Sequence, residues 1–395
     1  MNFLEKLLDG AEVEWVPLGD ITSYEQPTRF RVESTDYNDA YKTPVLTAGQ
    51  TFILGYTNEV EGIYEASVKP VIIFDDFTTA NKWVDFDFKV KSSAMKIISS
   101  ADESLVLTKY IYYWLNVLPS GLVEGEHKRQ WINCFAKKTI PIPCPDDPAR
   151  SLKIQTKIVQ ILDNFTELTA ELTAELTAEL TAREKQYEYY RDHLINSASE
   201  AIGSYELKKL GDIAALSGKR ISFEELDEST FVGVDNLLQN KKGKVNSNYL
   251  PTTGNLTKYK SGDILLGNIR PYLKKIWHAD REGGASGDVV VIQLTDKSVN
   301  SRYIYHALSS DKFFDYNMQY AKGAKMPRGD RRKILEFEIP VPPLGEQERI
   351  VSILDKFDTL TTSITEGLPR EIELRQKQYE YYRNILLSFN KLEEA

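Results

Sequence analysis

From Ser151 to Ala201 the chain contains no proline, and apolar side chains recur at Ile154, Ile158, Ile161, Leu162, Phe165, Leu168, Leu172, Leu176 and Leu180. Steps of three and four residues place them on one face of a helix. Asp146, Asp147 and Pro148 stand just before it, as helix N-termini prefer. The spacing predicts a helix over 152–199, about 50 residues and about 75 Å long. A second helical stretch is predicted from Pro343-Leu344-Gly345-Glu346 to about Leu392, kinked or briefly broken at Gly367-Leu368-Pro369. Shorter patterns fill the remainder. Val71-Ile72-Ile73-Phe74, Ile264-Leu265-Leu266 and Val289-Val290-Val291-Ile292 are apolar, β-rich runs bounded by turns and predict strands. Tyr110–Leu115 and Tyr303–Leu308 read as helix. Each region outside the long helices is therefore a small α+β domain.

An internal repeat organises these elements. Leu18-Gly19-Asp20-Ile21 returns at Leu210-Gly211-Asp212-Ile213. Gln155, Ile158, Val159, Ile161, Leu162, Asp163 and Phe165 return as Gln347, Ile350, Val351, Ile353, Leu354, Asp355 and Phe357. Lys185-Gln186-Tyr187-Glu188-Tyr189-Tyr190-Arg191 returns at Lys377–Arg383, and all three offsets are 192 residues. Ile140-Pro141-Ile142-Pro143 pairs with Ile339-Pro340-Val341-Pro342 at an offset of 199. The chain is thus a tandem duplication of a unit half its length. The inserts between the shared blocks, roughly 22–139 and 214–338, share almost nothing but scattered aromatics, so they differ in what they bind. Residues 1–13 precede the first Leu-Gly-Asp-Ile as 193–205 precede the second, which predicts a circularly closed repeat with its termini together.

Two features of the long helices concern partners. Thr-Ala-Glu-Leu occurs three times in register over 169–180. A period of four drifts about 40° per repeat around a helix, and each repeat adds about 6 Å. The tract is a plain spacer or a ruler that sets the distance between whatever its ends hold, and the two are compatible. Tyr187/Tyr190 and Tyr379/Tyr382 are i, i+3 pairs suited either to core packing or to docking a partner, twice over by symmetry.

The net charge of −9 conceals an uneven distribution. Residues 206–340 carry +5, whereas 14–145 carry −4 and the helical 146–205 carry −5. In the basic region the cations cluster at Lys241–Lys244, at Arg270-Pro271-Tyr272-Leu273-Lys274-Lys275, and along Ala321–Lys333 with Lys322, Lys325, Arg328, Arg331 and Arg332. A basic loop alone is usually a solvated surface, but these could neutralise phosphates, and an arginine fork could read guanine in the major groove. At the 199 offset Arg129, in the run Lys128-Arg129-Gln130-Trp131, falls on Arg328, and both are placed before an apolar strand leading to the Ile-Pro exit. That coincidence suggests that both loops face one ligand. Asn81, Lys82, Lys91, Ser92 and Ser93 add polar groups to the first insert.

Several classes are excluded. No apolar run approaches the 18 to 20 residues, roughly, that span a bilayer. Two cysteines, Cys134 and Cys144, make no disulfide framework and fit a reducing cytoplasm. Four scattered histidines show no metal-ligand spacing. Neither a phosphate-binding glycine loop nor an Asn/Asp-Pro-Pro-Tyr/Phe methyltransferase motif is present. Asp75-Asp76 after a strand reads as a turn rather than a metal site. No catalytic residues are assigned.

Taken together, the Leu-Gly-Asp-Ile starts, the run Ile339-Pro340-Val341-Pro342-Pro343-Leu344 leading into Glu346-Gln347 and Ile350–Asp355, the two diverged inserts and the Thr-Ala-Glu-Leu spacer resemble the specificity (S) subunit of type I restriction-modification enzymes, in the subgroup with that spacer repeat. The resemblance covers essentially the whole chain. It implies an α+β fold with two α/β target recognition domains (14–145 and 206–343), separated by long antiparallel helices (146–205 and 344–395) that form a coiled coil, with 1–13 completing the scaffold in a pseudo-two-fold repeat. Each domain would read one half of a bipartite, asymmetric site on double-stranded DNA. Two methyltransferase (M) subunits would dock on the helices and methylate adenine N6 with S-adenosylmethionine. Restriction (R) subunits would use ATP and Mg2+, and this bacterial or archaeal cytoplasmic chain would hold no cofactor itself. The acidic first insert departs from expectation for a DNA reader. Two rival readings are a coiled-coil adaptor with protein-binding inserts and a stand-alone nuclease or methyltransferase.

Overall fold

A computed structural model describes residues 3–47, 51–120, 129–200, 206–362 and 367–389. The chain divides into two compact units, Met1–Glu171 with Gln376–Ala395, and Leu172–Arg375. In each, the segments before and after the insert pair as antiparallel strands. Val13–Pro17 pairs with Thr139–Pro143, and Leu207–Lys209 with Glu338–Pro340. Leu-Gly-Asp-Ile follows the first strand of each pair as a single helical turn. Its glycine explains why the block recurs. A Cβ on Gly19 would lie 3.1 Å from the Ala136 carbonyl oxygen, and one on Gly211 3.2 Å from that of Leu335. The neighbouring backbone bonds match too, Leu18 N donating to Lys138 O and Leu210 N to Phe337 O, both at 2.8 Å.

The inserts share a sheet although they share little sequence. In the first unit four antiparallel strands run in the order Thr22–Glu25, Met95–Ser100, Val71–Asp75, Asn81–Val84. In the second the order is Ala214–Leu216, Val289–Leu294, Ile264–Gly267, Ile276–His278. Corresponding strands stand 192 to 195 residues apart. The two central strands of each sheet are buried almost throughout, so they require apolar character rather than particular side chains, and the sheet survives wholesale substitution. A second sheet differs, three strands in the first unit and four in the second.

The long helix spans Pro148–Glu200, and the second stretch is two helices, Leu344–Thr362 and Leu368–Leu386, with residues 363–366 outside the described set. In the first unit Phe165 stacks flat on Tyr382, centroids 5.5 Å apart. In the second Tyr190 stacks on Phe357 at 5.6 Å. The pairs are the same contact with the two helices exchanged, since Phe165 corresponds to Phe357 and Tyr190 to Tyr382. Leu4, in the short helix Phe3–Leu8, shares a core with Leu386, Leu387 and Phe389, which closes the repeat circularly. Among the described residues no helix is long and apolar enough to cross a membrane.

A short helix in each insert, Thr108–Leu115 or Ser301–Leu308, seats the domain on the spacer. Its tyrosine, Tyr110 or Tyr303, donates to the carbonyl of Pro141 or Pro340, each at 2.8 Å. The fully buried Gln155 accepts from Leu107 N (3.0 Å) and donates to Leu105 O (3.0 Å). Gln347 does the same with Asn300 N (2.8 Å) and Ser298 O (3.2 Å). Each glutamine thereby holds a loop of its insert through one accepted and one donated bond. Farther along, His306 lies wholly buried between the Tyr187 hydroxyl on Nδ1 (2.8 Å) and Asp355 Oδ1 on Nε2 (2.7 Å).

Burial pushes the His306 imidazole below its ordinary value, despite the Asp355 bond, and burial takes His278 down to about 4. The unfolded chain therefore takes up protons below about 6.5 that the folded rings refuse. Stability present above that pH is lost as pH falls toward 4. The thermal midpoint should fall between pH 7 and pH 5, and less steeply in His306→Gln. Equal slopes for the two proteins by differential scanning calorimetry would refute the buried neutral histidine.

Candidate nucleic-acid interface

The central strand of the first sheet ends at Asp75-Asp76. Asp75 folds a turn, accepting from the N–H groups of Phe77 (2.9 Å) and Thr78 (3.3 Å) and from the Thr78 hydroxyl (2.5 Å). Asp76 is buried and ties three segments together. Its N–H donates to Ala94 O (3.2 Å), its carbonyl accepts from Gln130 N (2.8 Å) and Oδ1 accepts from Trp131 N (2.9 Å). Oδ2 lies 3.6 Å from the ammonium of Lys96, which is itself wholly buried. Burial lowers the Lys96 pKa, and the Asp76 charge opposes the shift. Asn81-Lys82, Lys91–Ser93 and Arg129 thus lie on the segments that gather around the end of Val71–Asp75. The Asp75-Asp76 pair is a turn and a tether, and no group of residues that could hold a metal occurs among those described.

The second unit repeats this node with different chemistry. Asn268, 192 residues after Asp76, donates from its N–H to Asp288 O (2.8 Å), accepts from Gly329 N (3.1 Å) and donates through Nδ2 to Gly329 O (3.2 Å). Gly329 stands 199 after Gln130 and Asp288 194 after Ala94, so the same three segments meet. A side chain at Gly329 has no room, because its Cβ would collide with Asn317 Oδ1 and lie 2.8 Å from Asn268 Oδ1. Lys322 and Arg328 exchange backbone bonds of 2.9 and 2.8 Å that close the basic loop. Arg270 N donates to Pro327 O (2.7 Å), Asn240 N to Leu273 O (3.0 Å) and Lys241 N to Lys274 O (2.8 Å). The three basic runs are therefore one surface. Asn240, Lys241, Arg270 and Lys274 all have left-handed backbones, φ from 50° to 65°. That costs about 1–2 kcal/mol for each non-glycine residue and persists only where surrounding bonds over-determine it.

These cations do two jobs. Lys241 pairs with Glu188 (3.0 Å) and Asp311 (3.2 Å), and Lys274 with Asp311 (3.0 Å), so both help hold the insert together and against the long helix. Arg328 pairs with Asp288 (3.0 Å), Lys322 with Asp330 (2.9 Å), and Arg331 donates to Gly287 O (2.7 Å). Arg270, Lys325 and Arg332 are exposed and form no ion pair among the described residues, and Tyr272 is half exposed beside them. In the first unit Lys82 and Arg129 are exposed, Ser93 faces solvent, and the Lys91 ammonium sits 5.6 Å from the Tyr37 ring centre. Ser92 accepts from Ala94 N (3.4 Å), and Asn81 Oδ1 is buried without a partner among the described residues. Lys128 lies outside the described residues.

Four sequence expectations are corrected. Trp131 is 1% exposed and meets Phe74 edge-on, and Gln130 is buried, so neither faces a ligand. Both follow Arg129 in a helical turn, Gln130–Asn133, that folds back into the core. Arg129 and Arg328 precede short helices, Gln130–Asn133 and Arg331–Glu336, rather than running straight into strands; Asp330 caps the second by accepting from Arg332 N (3.0 Å). Tyr187 is 6% exposed and belongs to the core. Tyr190 and Tyr382 stay about two-fifths exposed, and Tyr379 is half-buried. The outward pair is Tyr189 and Tyr381, 65% and 62% exposed. They stand two residues, about 200° of helix, past the buried edge, a signal already present in the repeated block. The Asp76/Asn268 node went unseen because different residue types occupy it, although the 192 offset marks it.

The buried pair at the first node gives a stability test. Asp76→Asn strands a buried ammonium and should cost about 3–5 kcal/mol. Lys96→Met added to it should restore most of the loss, since replacing both ions removes the uncompensated charge. Chemical denaturation of the single and double variants measures this, and a double variant no more stable than Asp76→Asn would refute the pair.

Comparison with known proteins adds a family. The type I restriction modification DNA specificity domain matches the chain twice, over residues 11–182 and 203–374. The EcoR124I/EcoR124II specificity subunit of a type I restriction enzyme from Escherichia coli is 50% identical over 408 residues, covering 100% of this chain and 98% of that protein. The EcoprrI specificity subunit, also from Escherichia coli, is 31% identical over 399 residues, covering 93% and 92%. Among solved structures, the S subunit of a type I restriction-modification system from M. genitalium shares the fold with a TM-score of 0.53 at 15% identity, over 97% of this chain and 98% of that one.

Proposed function

The chain belongs to the type I restriction-modification specificity family, and we propose that its two units each read one half of a bipartite, asymmetric site on duplex DNA through the loops held at Asp76 and Asn268. It is the non-catalytic, sequence-reading subunit of a type I restriction-modification system, working with M and R subunits. The observation that carries the half-site reading is the repeated node. Two sheets of different sequence present Arg129 and Arg328 from the same place, as two readers of one polymer would. Exposed Arg270, Lys325 and Arg332 meet phosphates in the second unit, with Tyr272 beside them. Arg328, locked by Asp288, is pre-oriented for a base edge or phosphate, and Arg331 and Lys322 support it. In the first unit Lys82, Lys91, Ser92, Ser93, Arg129 and the flanking Lys128 take those parts, with fewer phosphate contacts.

The same reading assigns the remaining parts. Recognition domains at 14–145 and 206–343 stand on spacers at 146–205 and 344–395, with 1–13 completing the scaffold. The Thr-Ala-Glu-Leu tract supports assigning the chain to the subgroup whose repeat number sets the gap between half-sites. Two M subunits dock at the symmetric tyrosine faces, Tyr189–Tyr190 and Tyr381–Tyr382 with Tyr379. Those subunits bring S-adenosylmethionine for adenine N6 methylation, which requires the base to leave the stack, and R subunits bring ATP and Mg2+. The complex acts in the cytoplasm.

Expressing the chain with its methyltransferase and mapping N6-methyladenine tests the reading directly. One bipartite motif with a fixed gap, absent without this chain, is expected. No motif from a methyltransferase proved competent beside another specificity subunit would overturn it. Within that assay, deleting Thr173–Leu176 should shorten the gap and leave both half-sites unchanged, and an altered half-site would sink the ruler. Reversing Arg270, Lys325 and Arg332 to Glu should weaken binding and flatten the dependence of log affinity on log salt by about one for each phosphate no longer neutralised. Unchanged affinity across a salt series would remove that surface from the interface.

A further inference from the structure

Beyond the half-site reading, and resting on it, we propose that Asp163 and Asp355 are positioning residues. Each fixes the angle at which its recognition domain stands on its own helix, and with it the half-site gap that the subunit accepts.

In the second unit Asp355 Oδ1 accepts from Arg302 Nε (2.7 Å) and His306 Nε2 (2.7 Å), while Arg302 Nη2 donates to Asp358 (2.5 Å). In the first, Asp163 Oδ1 accepts from the Tyr113 hydroxyl (2.5 Å) and Oδ2 pairs with Lys109 (2.9 Å). Tyr113 lies 3.4 Å from the Thr166 hydroxyl, which donates to the Tyr379 hydroxyl at 3.1 Å. Arg302 and His306 stand 193 residues after Lys109 and Tyr113, and the aspartates are 192 apart. Donor chemistry has changed completely between the two copies. The arrangement has not: one carboxylate on the spacer grips two donors one turn apart on the domain's seating helix.

Two donors four residues apart fix a direction, where a single bond would be a swivel. Gln155 and Gln347 grip the domain eight residues earlier on the same helices, about 12 Å away. Two separated grips on one rod remove the rotation that either alone would leave. Their energetic worth is small. Asp163 and Asp355 are 35% and 40% exposed, and ion pairs so open to solvent contribute about 1 kcal/mol or less. What such pairs supply is orientation. Orientation matters here because a drift of the reading loops by about 3.4 Å is one base-pair step.

The test uses the full chain with its methyltransferase and reads the distribution of gaps among methylated sites. Lys109→Met and Asp355→Asn should keep both half-sites and raise methylation at gaps one base pair longer or shorter at least tenfold over the parent. Asp355→Glu should show less of this relaxation than Asp355→Asn. A single unchanged gap in assembled complexes of both variants, or a changed half-site sequence, would overturn the proposal. If Asp355→Asn does not assemble, Lys109→Met decides alone, because Lys109 is a surface side chain, one-third exposed. A parent chain that yields no bipartite motif is a separate result that sinks the half-site reading itself.

Discussion

Everything in this molecule depends on pairing the strand before each insert with the strand after it. Val13–Pro17 against Thr139–Pro143, and Leu207–Lys209 against Glu338–Pro340, bring the two ends of some 120 residues to adjacent positions. The glycine of Leu-Gly-Asp-Ile then lets that junction close on the turn before the exit strand. Once the ends are fixed, the insert owes the scaffold a helix to sit on, a tyrosine bond to the exit strand and a few bonds to the long helices. Its remaining sequence is free to vary. That freedom is what a recognition module needs, because a new target demands new loops without a new mounting.

Charge follows the same division. The long helix is acidic and the second insert basic, and part of the attraction between them is consumed internally. Lys241 and Lys274 are bound to Glu188 and Asp311, so their charges are spent on holding the insert. Arg270, Lys325 and Arg332 remain for an external anion. The formal +5 of the second insert therefore overstates the unpaired positive charge at its surface. The first insert buries Lys96 against Asp76 but leaves Lys82 and Arg129 at the surface. Local exposure, not segment charge, decides which domain can hold a phosphate.

What the sequence revealed and what it hid divide along physical lines. Side chains required by name were legible: the two glycines at the junction, the glutamines and aspartates of the seat, the apolar stripe of the long helix. Features carried by the backbone were not. The common four-stranded sheet needs only apolar runs at its centre, and the node at Asp76 and Asn268 works mainly through main-chain bonds, which an aspartate and an asparagine serve equally. Trp131 was misplaced because a run of Lys, Arg and Gln looks like surface, yet one helical turn carries the indole inward. Tyr187 was ambiguous for a related reason: a helix turns 100° per residue, so a cluster of tyrosines must divide between core and solvent, and burial by His306 selects which one goes in.

The Thr-Ala-Glu-Leu tract completes this logic. From Asp163 to Gln186 no residue is fully buried, although fully buried side chains, Leu162 and Tyr187, flank the stretch on either side. Leu168 is half exposed, and Leu172, Leu176 and Leu180 are only partly covered. Thr177 and Thr181 turn their hydroxyls back onto the carbonyls four residues earlier, at 2.7 and 2.9 Å. The helix there is sustained by its own propensity and internal bonds rather than by a core. A period of four drifts off any one seam, and no side chain of the tract is fully buried. Adding or removing one repeat would therefore cost little in packing, while changing the length by about 6 Å and the rotation by about 40°. The seats at Gln155 with Asp163 and at Gln347 with Asp355 are where rigidity is kept instead.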